Sequence, residues 1–228
     1  MDVIDRSVTS SRAVLVANAP MVASEHLRRW AADSSLLIGV DGGANRLLDR
    51  GLKPTHVMGD FDSLTLSDRI MLDEMNTALV PLDDQNYTDL DKALNYTINR
   101  LRASEVIIFG ATGGRLDHTV TALNMLVKYG RSARLRLIDS DAESFLVPDE
   151  VILADSGQIG RTLSLMPLGD VSGVWLTGVH WPLSDAHIGP GGRDGTSNII
   201  SADRVVIRCG HGHLLASLHH AKQVRNAI

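Results

Sequence analysis

The sequence predicts two folded parts: an α/β domain with a mostly parallel sheet and helices on both faces, then a small antiparallel β domain. Three observations carry this. Up to residue 130, short runs rich in Val, Ile and Leu alternate with stretches of helical pattern, the order that builds a parallel sheet through helical crossovers. Those runs are continuously apolar, as strands covered on both faces are. After about residue 135 the helical pattern gives way to strand-like pieces separated by Gly, Pro, Asp and Ser, the texture of an antiparallel sandwich or barrel.

The strands of the first part are AVLVAN (13–18), SLLIGV (35–40), HVMGD (56–60), TALVPL (77–82) and EVIIFGA (105–111). The helices between and after them are expected over 22–32, 44–50, 66–76, 88–102 and 117–130. In the fourth, Leu90, Leu94, Ile98 and Leu101 recur at helical spacing. The second part reads as RLRLIDSD, SFLVP, RTLSLMPL, GVWLTGV, DRVVIRCG and HLLASL. The boundary is placed near 140, giving domains over 1–140 and 141–228. The stretch SDAHIGPGGRDGTSN (184–198) is too long and polar for a tight turn and is expected to be a loop.

Composition narrows the function classes. The chain has 228 residues, 44% hydrophobic and 21% charged, with a net charge of −5. Without a basic block it does not present a phosphate-tracking nucleic-acid surface. The single Cys209 excludes an intrachain disulfide and a cysteine-based zinc site. No apolar run approaches the roughly 18 residues of a membrane span. The first residues, MDVIDRSVTSSR, carry acids and hydroxyls where a secretory signal has bases and an apolar core. They read as a frayed lead-in, and the expected compartment is the cytoplasm.

In parallel α/β sheets, ligands bind beyond the carboxyl ends of the strands. Four successive strand ends here are chemically loaded: Asp41-Gly42-Gly43-Ala44-Asn45, then Asp60 and Asp62, then 83–89 (DDQNYTD), then 111–118 (ATGGRLDH). Each has a plainer reading. Asp62 could cap a turn, Thr88 could cap the helix after it, Asp91 beside Lys92 reads as a solvated surface group, and His118 reads as structural. Together, however, Asp41, Asp60, Asp62, Asp89 and Asp117 would repel one another unless cations offset them. Carboxylates without thiolate or imidazole company favour a hard cation such as magnesium, which shares its shell with substrate phosphates. Glycine-rich turns at helix starts offer N–H groups to those phosphates, and Arg115 can fork onto phosphoryl oxygens. Neither a G-x-x-x-x-G-K-[ST] nor a G-x-G-x-x-G after the first strand is present. The residues therefore point to a magnesium-dependent enzyme acting on a polyphosphate, with the acceptor open.

Five segments, VDGGAN, GDFDSL, DQNYTDLDKAL, GATGGRLDH and DGTSN, occur in an order and spacing that resembles the thiamine pyrophosphokinase family. The resemblance runs from about Asp41 to the C-terminus. It implies diphosphoryl transfer from ATP to the hydroxyl of thiamine, giving thiamine diphosphate and AMP. It also implies an α/β catalytic domain, a C-terminal β-sandwich that binds thiamine, and a homodimer with active sites shared between subunits. By position, Asp60 and Asp62 resemble the magnesium-binding pair and Asp89 a third carboxylate of the metal site. Asp41, Asn45, Gln85, Thr88, Lys92, Thr112, Arg115 and Asp117 resemble residues around ATP, while Trp181, Ser197 and Asn198 resemble residues around thiamine. Asn86 stands where a charged residue is frequent, and HIGPGGRDG is longer and more basic than the family pattern, with Arg193 as its cation.

Attack at the β-phosphorus calls for positioning and charge neutralisation, and Asp89 and Asp62 are the candidates for taking the alcohol's proton. Rival readings are a pyrophosphokinase for another alcohol such as a pterin, a metal-dependent nucleotide-sugar transferase, and a non-catalytic nucleotide or thiamine sensor.

Overall fold

The computed structural model describes residues 11–20 and 24–221. Most of the expected lead-in and the first two residues of the helix expected over 22–32 lie outside the described residues. The described chain divides into two units, up to Ser140 and from Asp141 onward.

The first unit runs β1 (Arg12–Val16), α1 (Ser24–Ala32), β2 (Leu36–Val40), α2 (Gly43–Leu48), β3 (His56–Gly59), α3 (Leu66–Glu74), β4 (Ala78–Pro81), α4 (Asp89–Asn99), β5 (Glu105–Phe109), α5 (Leu116–Tyr129) and β6 (Arg134–Ile138). Its strands pair in parallel in the order β6-β5-β1-β2-β3-β4. Every strand and helix expected before residue 130 is present, differing only at its ends. Val14, Val16, Ile107 and Phe109 pack on one face with Leu27 of α1 and Leu47 of α2. Their alternates Leu15 and Ile108 are equally buried and face the other way. On that unit α4 packs on β2 and β3, and α5 on β6. Each fully buried Leu, Ile or Phe contributes about 1.5–3 kcal/mol, so the continuous apolar runs are what makes this sheet a two-sided core.

The helix starts are local. Thr65 and Asp68 form a reciprocal capping box at α3. The Thr88 hydroxyl accepts from the Asp91 N–H at the start of α4, as its sequence position suggested. Gly43 opens α2 where a Cβ would lie 1.8 Å from the Val16 carbonyl oxygen, so α2 can approach the end of β1 only with glycine there.

One strand departs from expectation. RLRLI, grouped in sequence with the antiparallel pieces, is β6 and pairs in parallel with β5, Arg134 opposite Glu105. Its alternating arginines mimic a one-sided strand. The reason is a polar knot: Arg12 Nε donates to Glu105 at 2.6 Å, Arg136 lies 3.4 Å from the same carboxylate, and both guanidinium groups stack on Trp30.

The second unit is all β: β7 (Ala142–Val147), β8 (Glu150–Ala154), β9 (Thr162–Pro167), β10 (Val171–Thr177), β11 (Leu183–Ile188), β12 (Gly195–Ile199), β13 (Arg204–Arg208) and β14 (Leu214–His219). Strands β7, β14, β9 and β12 pair antiparallel in that order, as do β8, β13, β10 and β11. Inward residues of both sets, among them Phe145, Leu163, Leu165, Val174, Leu176, Ile207 and Leu214, form one apolar cluster. The fold is a sandwich. Two sequence readings change here. Strand β8 was not foreseen, and the polar stretch 184–198 is mostly strand. Its ends pair with β10 and β9, leaving a short turn closed by Gly192 N–H to the Gly189 carbonyl at 3.1 Å. Backbone pairing, which sequence polarity does not report, holds this segment.

Candidate active site

Strand β1 has β5 on one side and β2 on the other, so the chain leaves it in opposite directions and a crevice opens beyond their carboxyl ends. A cleft of about 460 Å³ lies there. It is lined by residues 17–20 after β1, Asp41 after β2, Thr88 to Leu90 at the start of α4, and Gly110, Ala111, Gly114, Arg115, His118 and Thr121 around the start of α5.

Beside it stands a carboxylate cluster. One oxygen from each of Asp41, Asp60 and Asp62 lies within 4.8 Å of the others. Asp41 follows β2 in a left-handed conformation (φ 50), tethered by its N–H to the Met58 carbonyl at 2.9 Å. After β3, Asp60 Oδ1 accepts from the Asp62 N–H at 3.1 Å, which turns the chain so that both carboxylates face the same place. Phe61 between them is also left-handed (φ 64), a conformation that costs an L-residue about 1–2 kcal/mol. The strain is held by Arg69, which donates to the Phe61 carbonyl, and by Asn45, whose Nδ2 donates to the Ser63 carbonyl at 3.0 Å. The negative charge of Asp60, a hydrogen bond shared with it, and the more distant Asp41 raise the Asp62 carboxyl above the usual range.

Strained backbone and mutual repulsion are both costs that a cation offsets. The three oxygens suit one. Ligands of a magnesium ion at about 2.1 Å lie roughly 3–4 Å apart, and the set is all oxygen. The Oδ1 of Asn45 is buried with no hydrogen-bond partner, a further acceptor at the start of α2.

Asp89 does not join this cluster. It sits on the cleft wall at the first turn of α4 and pairs with Lys92 at 2.8 Å, while Lys92 Nζ also donates to the Leu82 carbonyl at 2.8 Å. Of the five aspartates grouped from the sequence, Asp41, Asp60 and Asp62 thus gather within reach of one ion, while Asp89 stands on the cleft wall. Gln85 and Thr88 are exposed in the segment before α4. Asp91, read in sequence as a solvated group, is 6% exposed and bound by Lys128 and Tyr129. Helical register, not the adjacent Lys92, decides which way it points.

At the other side of the cleft, Arg115 occupies the N-cap position of α5. Its Nε and Nη2 fork onto the two oxygens of Asp117, and that hydrogen bond draws the Asp117 carboxyl below its ordinary value. Arg115 thus already makes the bidentate contact that a phosphoryl group offers. Gly113 before it is left-handed (φ 79), and Thr112 donates to Asp139 at 3.2 Å. His118 lines the cleft. Sequence reading passed over Asn18 and Arg46. Asn18 follows β1 on the cleft wall, and Arg46 donates to its carbonyl at 2.7 Å and to its Oδ1 at 3.3 Å. The strand-end rule applied to β1 would have found Asn18.

In the sandwich unit, Trp181 is 56% exposed with His180 packed edge-on against it. Asn198 is buried. Its Oδ1 accepts from the N–H groups of Trp181 and Ile199, and its Nδ2 donates to the Trp181 carbonyl at 2.7 Å. Its amide is thus engaged mainly in holding the Trp181 backbone. Ser197 is exposed and left-handed (φ 60), with its N–H held by Ser164 Oγ at 3.0 Å. Arg193 is exposed in the turn between β11 and β12.

A family model described as the catalytic domain of thiamin pyrophosphokinase matches residues 27–138, and one described as its vitamin B1 binding domain matches residues 150–214. Thiamine pyrophosphokinase of Bacillus subtilis (strain 168) is 33% identical over 177 residues, covering 76% of this chain and 82% of the relative. Thiamine pyrophosphokinase 1 of Arabidopsis thaliana is 30% identical over 235 residues, covering 89% and 85%. A crystal structure of the Bacillus subtilis protein superposes with a TM-score of 0.80 at 29% identity, over 91% of this chain and 98% of that one. Yeast thiamin pyrophosphokinase shares the fold with a TM-score of 0.82 at 16% identity, over 94% and 87%.

Proposed function

The chain belongs to the thiamine pyrophosphokinase family, and from that premise we propose that it transfers a diphosphoryl group from ATP to the hydroxyl of thiamine, giving thiamine diphosphate and AMP. The observation that carries this is the Asp41–Asp60–Asp62 cluster beside the switch-point cleft, in a chain matched by both a catalytic and a vitamin B1 binding model. Neither match favours a pterin acceptor or a sugar nucleotide.

The residues divide the work. Asp60, Asp62 and Asp41 would hold a magnesium ion. When bound, that ion supplies positive charge to the phosphate oxygens. Arg115 releases Asp117 and grips the phosphates with the same fork, while N–H groups at the starts of α4 and α5 offer further donors. Thr88, Gln85, Lys92, Thr112 and Asn45 surround the nucleotide. The thiamine oxygen forms its bond to the β-phosphorus as the bond from that phosphorus to the AMP oxygen breaks. AMP carries the bonding pair away. The alcohol is a very weak acid, so its proton leaves late. We assign the receipt of that proton to Asp89, on the cleft wall and outside the acidic cluster, with Asp62 as the other candidate.

We assign nucleotide and metal to residues 1–140 and thiamine to residues 141–228, with Trp181 and Ser197 as the exposed groups for the vitamin and Asn198 as the residue that sets Trp181. Thiamine's cationic ring suits an aromatic face. Following the family resemblance, the working unit is a homodimer in which the sandwich of one subunit completes the site of the other. Among the described residues no helix is long and apolar enough to cross a membrane. The acceptor is tested by offering purified protein with ATP and magnesium either thiamine or a hydroxymethyl pterin. Consumption of thiamine alone supports the assignment, and preferential use of the pterin overturns it.

A further inference from the structure

We propose that Asp91, Lys128 and Tyr87 form a clamp that positions the start of α4, and the residues 82–89 leading into it, for the nucleotide's phosphates. This rests on the reading of the switch-point cleft as the ATP site. Lys128, near the end of α5, donates from Nζ to both carboxylate oxygens of Asp91, at 2.8 and 2.7 Å. The same ammonium lies 4.8 Å from the ring centroid of Tyr87 and 5.2 Å from that of Tyr129. Tyr129 completes the knot by donating its hydroxyl to Asp91 Oδ1. Burial and the neighbouring Asp91 carboxylate push the Tyr129 hydroxyl up to about 12, so it stays a donor at neutral pH.

The placement gives the knot its consequence. Asp91 is in the first turn of α4, and its own N–H donates to the Thr88 hydroxyl. Thr88 and Asp89 line the cleft. Tyr87 immediately precedes them and is 54% exposed, so no apolar core holds it. Its ordering comes from the ammonium, and a cation over an aromatic face contributes about 0.5–2 kcal/mol. Lys128 belongs to the helix whose opposite end carries Arg115 and His118. One ammonium therefore ties the two helices that build the cleft walls and pins the segment that carries Gln85 into α4. Lys92, bridging Asp89 and the Leu82 carbonyl, closes the same segment from its other end. None of Asp91, Lys128 and Tyr87 lines the cleft, so they are positioning residues. A displacement of about 1 Å at a binding group is enough to change affinity and rate severalfold.

The test uses full-length protein and two readouts: the dissociation constant of a non-hydrolysable ATP analogue, and steady-state kinetics with ATP and thiamine varied separately. Tyr87→Leu, and the paired variant Asp91→Asn with Lys128→Met, which leaves no buried charge alone, are expected to raise the analogue's Kd and the KM for ATP about tenfold. The KM for thiamine should hold, while kcat should fall severalfold, since the clamped segment also carries Asp89. Tyr87→Phe and Lys128→Arg keep the cation–ring contact and should restore ATP affinity. A clamp that serves stability alone would lower Tm and leave both ATP constants unchanged, and that result overturns the proposal. Equal analogue binding by unmodified and variant proteins removes the clamp alone. No analogue binding by unmodified protein removes the ATP reading of the cleft, and the clamp with it.

Discussion

At the residue scale, Asp62 and Arg115 carry the proposed chemistry. The Asp62 carboxyl is held above its ordinary value by Asp60. A raised carboxylate contributes stability below its unfolded pKa and loses it as pH rises through the folded one, so at neutral pH the cation-free cluster opposes folding. Asp62→Asn should therefore raise Tm in chelator, yet abolish the further rise that magnesium with ATP gives the unmodified protein. Thermal melts under the two conditions check both signs. In turnover the same variant should lose at least about a hundredfold; near-normal kcat would remove Asp62 from the reaction. Arg115→Lys keeps the charge and loses the fork, so ATP use should fall about tenfold, read as kcat/KM with ATP varied. The Asp pair and Arg115 were legible because the carboxyl ends of parallel strands are where side chains of this kind gather. The close spacing of Asp41 with Asp60 and Asp62 was not. It depends on left-handed turns at Asp41 and Phe61, and nothing in the residue names announces those.

At the element scale, strands buried on both faces declare themselves by continuous apolar runs, and β1, β2, β3 and β5 were read that way; β4 carries the same pattern but is an exposed strand at the sheet edge, where no neighbour covers it. Strand β6 escaped because Arg134 and Arg136 alternate with Leu135 and Leu137, the pattern of a half-exposed strand. In the fold, Arg136 is drawn in by Glu105 and Trp30. This knot can be tested. Glu105→Ala leaves two guanidinium groups around a buried gap, and removing one partner of such a set costs about 3 kcal/mol. For a chain of this size that is roughly 6–12 °C in Tm, measured by thermal denaturation, with KM for ATP unchanged. The same reasoning explains β11 and β12. Their polar outward residues hide the strand, and the backbone partners on β10 and β9 that hold it lie far away in sequence.

At the scale of the whole molecule, the proposed division of labour between an ATP-binding unit and a thiamine-binding sandwich predicts complementation. Asn198→Ala removes the amide that holds the Trp181 backbone, so it should raise the KM for thiamine while analogue binding stays nearly intact. In a homodimer with shared sites, mixing it with Asp62→Asn should recover part of the activity, since hybrid dimers carry one undamaged composite site. Subunit exchange is confirmed separately by tagged pull-down. Exchange without recovery would place the whole site in one chain. The central claim is that a diphosphoryl group moves intact, and the most direct measurement follows ATP labelled on its γ-phosphate in the presence of magnesium and thiamine. The account predicts that the label appears in thiamine diphosphate, with one AMP formed per product and with both products abolished by chelator. Label in thiamine monophosphate with ADP, or turnover that persists in excess chelator, would contradict it.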